Sequence, residues 1–123
     1  MRQHRVRATL LVLALATAVA AATPPAAQAA VVVKASSTSS GYRWKPGSTD
    51  VSKGTKVVWK NPTNVKHTVT AYSKNWSKSV TIKPGQATSF TFKKSGTFKF
   101  YCRFHASIVN GVCSGMCGKV VVG

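Results

Sequence analysis

Short runs in which hydrophobic and polar residues alternate follow one another over most of this chain, as expected of strands with one buried face. Turn-forming pairs such as Pro46-Gly47 and Pro84-Gly85 separate these runs, and no convincing helical period occurs after residue 30. The pattern predicts an all-β sandwich of about seven to eight short strands. The predicted strands cover residues 31–35, 42–44, 55–60, 66–72, 79–82, 89–92, 97–102 and 119–122.

The first thirty residues follow a different pattern. Three arginines precede an apolar run from Ala8 to Ala22, and Ala27-Gln28-Ala29 supplies small residues for a cleavage site. The apolar run is shorter than the ~20 residues that a bilayer-spanning helix needs, and Pro24-Pro25 follows it closely. We therefore predict a secretory signal peptide over residues 1–29 and one domain over residues 30–123. The mature protein is then exported to the periplasm, the extracellular space or the cell envelope, with no membrane span.

Basic residues greatly outnumber acidic ones. The chain has 18 Lys and Arg and a net charge of +17, and its single acidic residue is Asp50. Fifteen of the basic residues follow residue 29, which gives the predicted domain a charge of +14. They are scattered singly, and an exported protein rarely meets DNA. We therefore expect acidic redox proteins as partners, or contact with an anionic cell envelope, rather than nucleic acid, and we expect a monomer.

Side chains that bind soft metals occur near the end of the chain. Cys102 and His105 stand three apart at the end of one predicted strand, and Met116 precedes the last strand. By alternation, the sulfur of Cys102 shares the buried side with the phenylalanines of its strand. His67 opens an earlier strand, and it is the other histidine of the predicted domain. A His₂Cys set with a weak axial methionine suits a blue-copper electron-transfer centre.

Three cysteines leave one unpaired if the other two form a disulfide. Pairing of Cys113 with Cys117 would leave Cys102 for the metal, and an exported chain favours such a disulfide. A thiol pair that handles Cu(I) transiently is the alternative. With Asp50 as the only acid, neither a Ser/His/Asp triad nor a zinc hydrolase site can be assembled, so we do not expect an enzyme.

These motifs resemble those of the cupredoxins, the small blue-copper proteins, and most closely the plastocyanin-like branch. The resemblance spans roughly Tyr42 to Val122. It implies a Greek-key cupredoxin sandwich that binds one copper ion. The copper would cycle between Cu(I) and Cu(II) as the protein carries electrons; the alternative is a protein that delivers copper with the same ligands. It also implies His67, Cys102 and His105 as equatorial ligands and Met116 as the axial ligand. The segments that carry it are Gly54-Thr55-Lys56-Val57-Val58-Trp59-Lys60-Asn61 before His67, then Pro84-Gly85, Gly96-Thr97-Phe98, Tyr101-Cys102-Arg103-Phe104-His105 and Gly115-Met116-Cys117-Gly118-Lys119-Val120.

Two features depart from the plastocyanin-like pattern. Ten residues separate His105 from Met116, which is more than usual, and we interpret the excess as a bulge in the loop with Asn110-Gly111 as its turn. Thr68 stands where relatives often have an asparagine that ties the ligand loops together, so we expect its hydroxyl to take that role. The resemblance also suggests an exposed edge of His105. An apolar collar for partner docking would surround it, formed by Phe104, Ala106, Ile108 and Val109.

Overall fold

The structure is a computed structural model that describes residues 11–22 and 28–123. Within these residues it is all-β, with nine strands in two sheets, so the predicted sandwich is confirmed with one or two strands more than expected. The strands are β1 (Val31–Thr38), β2 (Gly41–Lys45), β3 (Ser48–Val51), β4 (Thr55–Lys60), β5 (His67–Ala71), β6 (Ser79–Ile82), β7 (Ala87–Phe92), β8 (Gly96–Val109) and β9 (Val112–Val122).

The two sheets divide the strands in a way that mixes early and late parts of the chain. The first sheet has the order β2-β1-β4-β7, and the second has the order β3-β9-β8-β5-β6. β1 pairs with β4 in parallel and β3 pairs with β9 in parallel, while the other pairs are antiparallel. The strands that carry the candidate ligands, β5, β8 and β9, are thus neighbours in the second sheet.

The largest differences from the sequence prediction are in β3, β8 and β9. β3 has one apolar residue in four, too few for a hydrophobic pattern, and its parallel pairing with the end of β9 holds it in place. β8 and β9 are longer than predicted because they continue past the ligand residues as a hairpin, which closes through Asn110-Gly111. Both turn residues have positive φ, at 51° and 76°, as a two-residue hairpin turn of type I′ requires.

The core between the sheets is aromatic. Trp44 and Trp59 of the first sheet pack edge-to-face on Phe100 of the second, at centroid distances of 6.3 and 5.3 Å. Gly118 lies directly against the ring of Phe100, where any side chain would overlap it. The two tryptophan contacts hold the second sheet against the first, and Cys102 follows Phe100 along the same buried side of β8.

The described residues of the segment predicted to be a signal peptide are not among the residues of this core. Residues 11–22 form neither helix nor strand, and their large apolar side chains, such as Leu11, Leu15 and Val19, are exposed. The remainder of the predicted peptide, apart from residues 28 and 29, lies outside the described residues, so the peptide and the domain boundary stay predictions. No helix in the described ranges has the length and hydropathy needed to cross a bilayer.

Candidate metal centre

Three of the four predicted ligands converge at one end of the sandwich. The Nδ1 atoms of His67 and His105 are 3.1 Å apart, and they lie 3.8 and 3.5 Å from the sulfur of Cys102. The side chains of His67 and Cys102 are fully buried, and that of His105 is partly exposed. The structure therefore places one sulfur and two imidazole nitrogens around a common point.

A large bulge in β8 makes this convergence feasible. Tyr101 pairs with Cys117, and the next pair along the two strands is Ala106 with Gly115. Four residues of β8, 102–105, thus stand opposite the single residue Met116 of β9. A regular strand would direct Cys102 and His105 to opposite faces, whereas the bulge allows both to reach the same site. It also sets Met116, which is fully buried, directly across from both ligand residues.

The spacing of the donor atoms fits a metal ion. Nitrogens about 2.0 Å and a sulfur about 2.3 Å from a central ion lie roughly 3.5–3.7 Å apart in a trigonal arrangement. The three measured distances, 3.1, 3.5 and 3.8 Å, are within a few tenths of an ångström of this. One thiolate and two imidazoles, with a thioether nearby, form a donor set that selects copper over hard cations.

Burial also prepares the imidazoles for metal binding. It lowers the pKa of His67 from 6.5 to about 4, with a smaller contribution from the neighbouring His105. Burial lowers the pKa of His105 in the same direction. Both rings are therefore neutral at pH 7, which is the state in which an imidazole nitrogen can bind a metal.

A chain of hydrogen bonds orients the ring of His67. Its Nε2 lies 2.8 Å from the hydroxyl of Thr63, and that hydroxyl donates to Oδ1 of Asn61 at 2.7 Å. The buried Asn61 amide in turn donates to the carbonyls of Val65 and Ile82. Because Thr63 directs its hydrogen to Asn61, it accepts from Nε2–H, which leaves the lone pair of His67 on Nδ1. The sequence analysis named Asn61 only as part of the motif before His67, and it assigned this role to neither Asn61 nor Thr63.

Thr68 joins the two ligand-bearing strands, as expected. Its hydroxyl accepts a hydrogen bond from the backbone N–H of Arg103 at 2.8 Å. Its own backbone N–H donates to the sulfur of Cys102 at 3.3 Å. This hydrogen bond ties the sulfur to the start of β5 and helps to orient it.

A disulfide links Cys113 to Cys117 and spans Gly115 and Met116 of β9. In the described part of the chain, Cys102 is the free cysteine. The disulfide lies at the base of the β8–β9 hairpin, which contains the extra residues that the sequence analysis interpreted as a loop bulge. The predicted turn at Asn110-Gly111 is confirmed, but the bulge was wrong, because the added residues pair with each other across the two strands.

Aromatic residues of β2 complete the site from the opposite sheet. The ring of Tyr42 lies 4.9 Å from that of His67 and 4.6 Å from that of His105, centroid to centroid. Trp44, two residues along the same strand, lies 6.0 Å from His67. Nothing in the local sequence around β2 signals this contact, because it depends on how the two sheets pack.

The four residues of the predicted docking collar differ in exposure and in the strand face they occupy. Phe104 and Val109 are 48% and 65% exposed, whereas Ala106 and Ile108 are partly buried. Strand alternation puts Ala106 and Ile108 on one face of the hairpin and Val109 on the other. Val109 pairs across the hairpin with Val112, which is 69% exposed, and forms an apolar tip with it.

Comparison with known proteins identifies the family to which this sandwich belongs. The family model of the cupredoxin-like domain matches residues 8–113. The chain belongs to the cupredoxin family. Plastocyanin A'/A'' of Nicotiana tabacum is 30% identical to this cupredoxin over 98 residues, which cover 70% of this chain and 93% of the relative.

Solved structures show the same fold. A reduced, Cu(I) form of an amicyanin variant has 27% identity and a TM-score of 0.62 over 80% of this chain and 87% of its own. A purple cupredoxin from Nitrosopumilus maritimus, at 20% identity, has a TM-score of 0.58 over 76% of this chain and 99% of its own. The cofactor of this cupredoxin is one copper ion, and His67, Cys102, His105 and Met116 are arranged as a type 1 copper site.

Proposed function

We propose that this cupredoxin carries single electrons between redox proteins outside the cytoplasm, with its copper ion bound by His67, Cys102 and His105 and axially by Met116. The observation that carries the proposal is the convergence of one sulfur and two imidazole nitrogens within 4.8 Å of one another, with the sulfur fully buried. Copper bound by this donor set supplies reversible one-electron chemistry between Cu(I) and Cu(II).

The protein keeps the donors in one arrangement for both oxidation states. The Asn61–Thr63 chain holds His67, and the hydrogen bonds of Thr68 join β5 to the bulge that carries Cys102. Outer hydrogen bonds of this kind orient the ligands and tune the metal. Because these donors need not move when the charge changes, electron exchange is expected to be fast.

Charge distribution supports an acidic partner that approaches the copper end. Asp50 pairs with Val121, five residues from Met116 along β9, so the only acid lies about 17 Å along the strand from the site. At the copper end, Lys66 lies 5.2 Å from the centre of the exposed ring of Phe104. Phe104 and the edge of His105 would contact the partner, and the surrounding positive charge would speed its approach.

The remaining parts of the proposal follow from the sequence. Export would bring the protein to redox partners of the periplasm, the extracellular space or the cell envelope, and its positive charge also suits an anionic envelope. We expect it to act as a monomer and not as an enzyme. Delivery of copper to another protein is the alternative function, and it would use the same ligands.

Voltammetry of the copper-loaded protein, together with copper transfer, tests the proposal. An electron carrier gives a reversible one-electron wave and retains its copper when mixed with a competing apoprotein. Its electron-transfer rate with an acidic redox protein falls as salt rises, because salt screens the attraction. Irreversible redox behaviour with ready transfer of Cu(I) would instead identify a delivery protein. Met116→Gln tests the axial ligand, because an unchanged spectrum and potential would contradict that assignment.

A further inference from the structure

Three aromatic rings meet at the copper end of this protein, and one of them is not a metal ligand. The rings of His67 and His105 are 4.9 Å apart, and Tyr42 contacts both of them from the opposite sheet. Its ring is tilted by 66° to that of His67 and by 56° to that of His105. Tilted and edge-to-face contacts of this kind are the favoured geometries of aromatic pairs.

The two histidines are held in different ways. His67 is anchored at Nε2 by Thr63, whereas within the described residues Nε2 of His105 has no hydrogen-bond partner. Phe104, the preceding residue in sequence, is more distant from His105 at 6.4 Å and about half exposed. Apart from the other metal ligands, the close contact that limits rotation of the His105 ring is therefore the ring of Tyr42.

The backbone of β2 keeps Tyr42 in this position. Tyr42 pairs with Ser37 of β1, and the buried Trp44 on the same face of β2 packs between His67 and Phe100. The strand is thus anchored both by backbone pairing and by its neighbouring aromatic residue. The side chain of Tyr42 is partly buried, so its ring also covers the imidazoles from water.

We propose that Tyr42 is a positioning residue of the copper centre, which fixes the orientation of the His105 ring and shields both imidazoles from the side of the first sheet. The proposal rests on the proposed function, because it takes His67 and His105 to be the copper ligands. Its effect is greater on His105 than on His67, since among the described residues only His67 has a hydrogen-bond partner at Nε2 as well as at Nδ1. Packing provides this role, and the phenol hydroxyl is not needed for it.

Nuclear magnetic resonance of the copper-free protein tests this without any metal. In Tyr42→Ala the imidazole resonances of His105 shift and broaden more than those of His67, while Tyr42→Phe leaves both close to wild type. Tyr72→Ala is the matched control, because Tyr72 packs on Tyr101 and contacts neither histidine. If Tyr42→Ala does not fold, Tyr42→Leu is measured in its place with the same expectation. Unchanged His105 resonances in the folded variant would overturn the proposal.

Copper binding provides the second measurement. Tyr42→Ala is expected to lower copper affinity about tenfold, the lower end of the effect of losing a residue that orients a ligand. Its Cu(II) electron-spin spectrum is expected to change, while Tyr42→Phe and Tyr72→Ala match wild type. Wild-type affinity and spectrum in Tyr42→Ala would contradict the proposal. If the wild-type protein itself bound no copper, the proposed function would fail, while the resonance experiment would still report on the packing of Tyr42.

Discussion

Replacement of Gly115 by alanine is a direct test of how the hairpin positions the copper ligands. Gly115 lies between the disulfide residue Cys113 and Met116, and it pairs with Ala106 immediately beyond the bulge. Its φ of +99° is a conformation that glycine adopts readily and alanine does not. A Cβ at this position would overlap the carbonyl oxygen of His105 and lie 3.1 Å from Cα of Ala106.

The expected cost has two parts. Alanine at an unfavourable positive φ costs about 1–3 kcal/mol. Overlap in a tightly packed region costs about 1–3 kcal/mol more, and here the obstacle is backbone, which cannot rotate away as a side chain can. We therefore expect Gly115→Ala to lose about 2–6 kcal/mol of unfolding free energy, a large share of the total for a small domain.

Gly54→Ala is the matched control. Its φ is +88°, similar to that of Gly115, but an added Cβ would meet no atom within 4 Å. Urea unfolding of the copper-free variants should show a loss of about 1–3 kcal/mol for Gly54→Ala, from its positive φ alone, and a loss larger by about 1–3 kcal/mol for Gly115→Ala. Only Gly115→Ala should alter the Cu(II) spectrum, because the overlap displaces His105. Equal stability losses with identical spectra would refute this reasoning.

Three further predictions concern the surroundings of the ligands. Thr63→Val removes the hydrogen bond to His67 and should reduce copper affinity about 10–100-fold in a competition titration. Thr63→Ser keeps a hydroxyl at this position and should retain most of the wild-type affinity. Equal affinity in wild type and both variants would count against the role of Thr63. Replacing both Cys113 and Cys117 by serine should lower the unfolding free energy by about 2 kcal/mol, because the disulfide restricts the unfolded chain by the closure entropy of a short loop. A thiol titration of the unfolded, non-reduced wild type should detect one free thiol, that of Cys102. Because the pKa of His67 falls from 6.5 in the unfolded chain to about 4 in the fold, the unfolded state binds more protons between these values, so the copper-free protein should lose stability from pH 6.5 to 4. His67→Gln should remove most of that loss in urea titrations, and an unchanged pH profile would contradict the assignment.

The sequence was informative about the ligands because their chemistry and spacing are local. The sequence alone shows the types and spacing of Cys102, His105 and Met116, and alternation predicts which side of β8 is buried. The structure then brings Cys102 and His105 together with His67. Alternation alone did not reveal that four residues of β8 stand opposite Met116, because register depends on both strands of a pair.

What the sequence analysis missed depends on contacts between distant segments. β3 forms by pairing with β9, more than sixty residues further along, and not by its own hydrophobic pattern. Tyr42 and Thr63 reach the histidines only after the sheets pack and the segment before β5 folds back. The docking collar stays a prediction, and its residues were chosen by adjacency, whereas strand alternation directs Val109 to the face opposite Ala106 and Ile108.

Titration of Cu(II) into the copper-free protein, followed by optical absorption and electron-spin resonance, tests the central claim most directly. The account predicts one equivalent of copper per chain and an intense thiolate-to-copper absorption band that is absent in Cys102→Ser and disturbed in His67→Gln and His105→Gln. Failure to bind copper in the wild-type protein, or the same spectrum in wild type and Cys102→Ser, would contradict it.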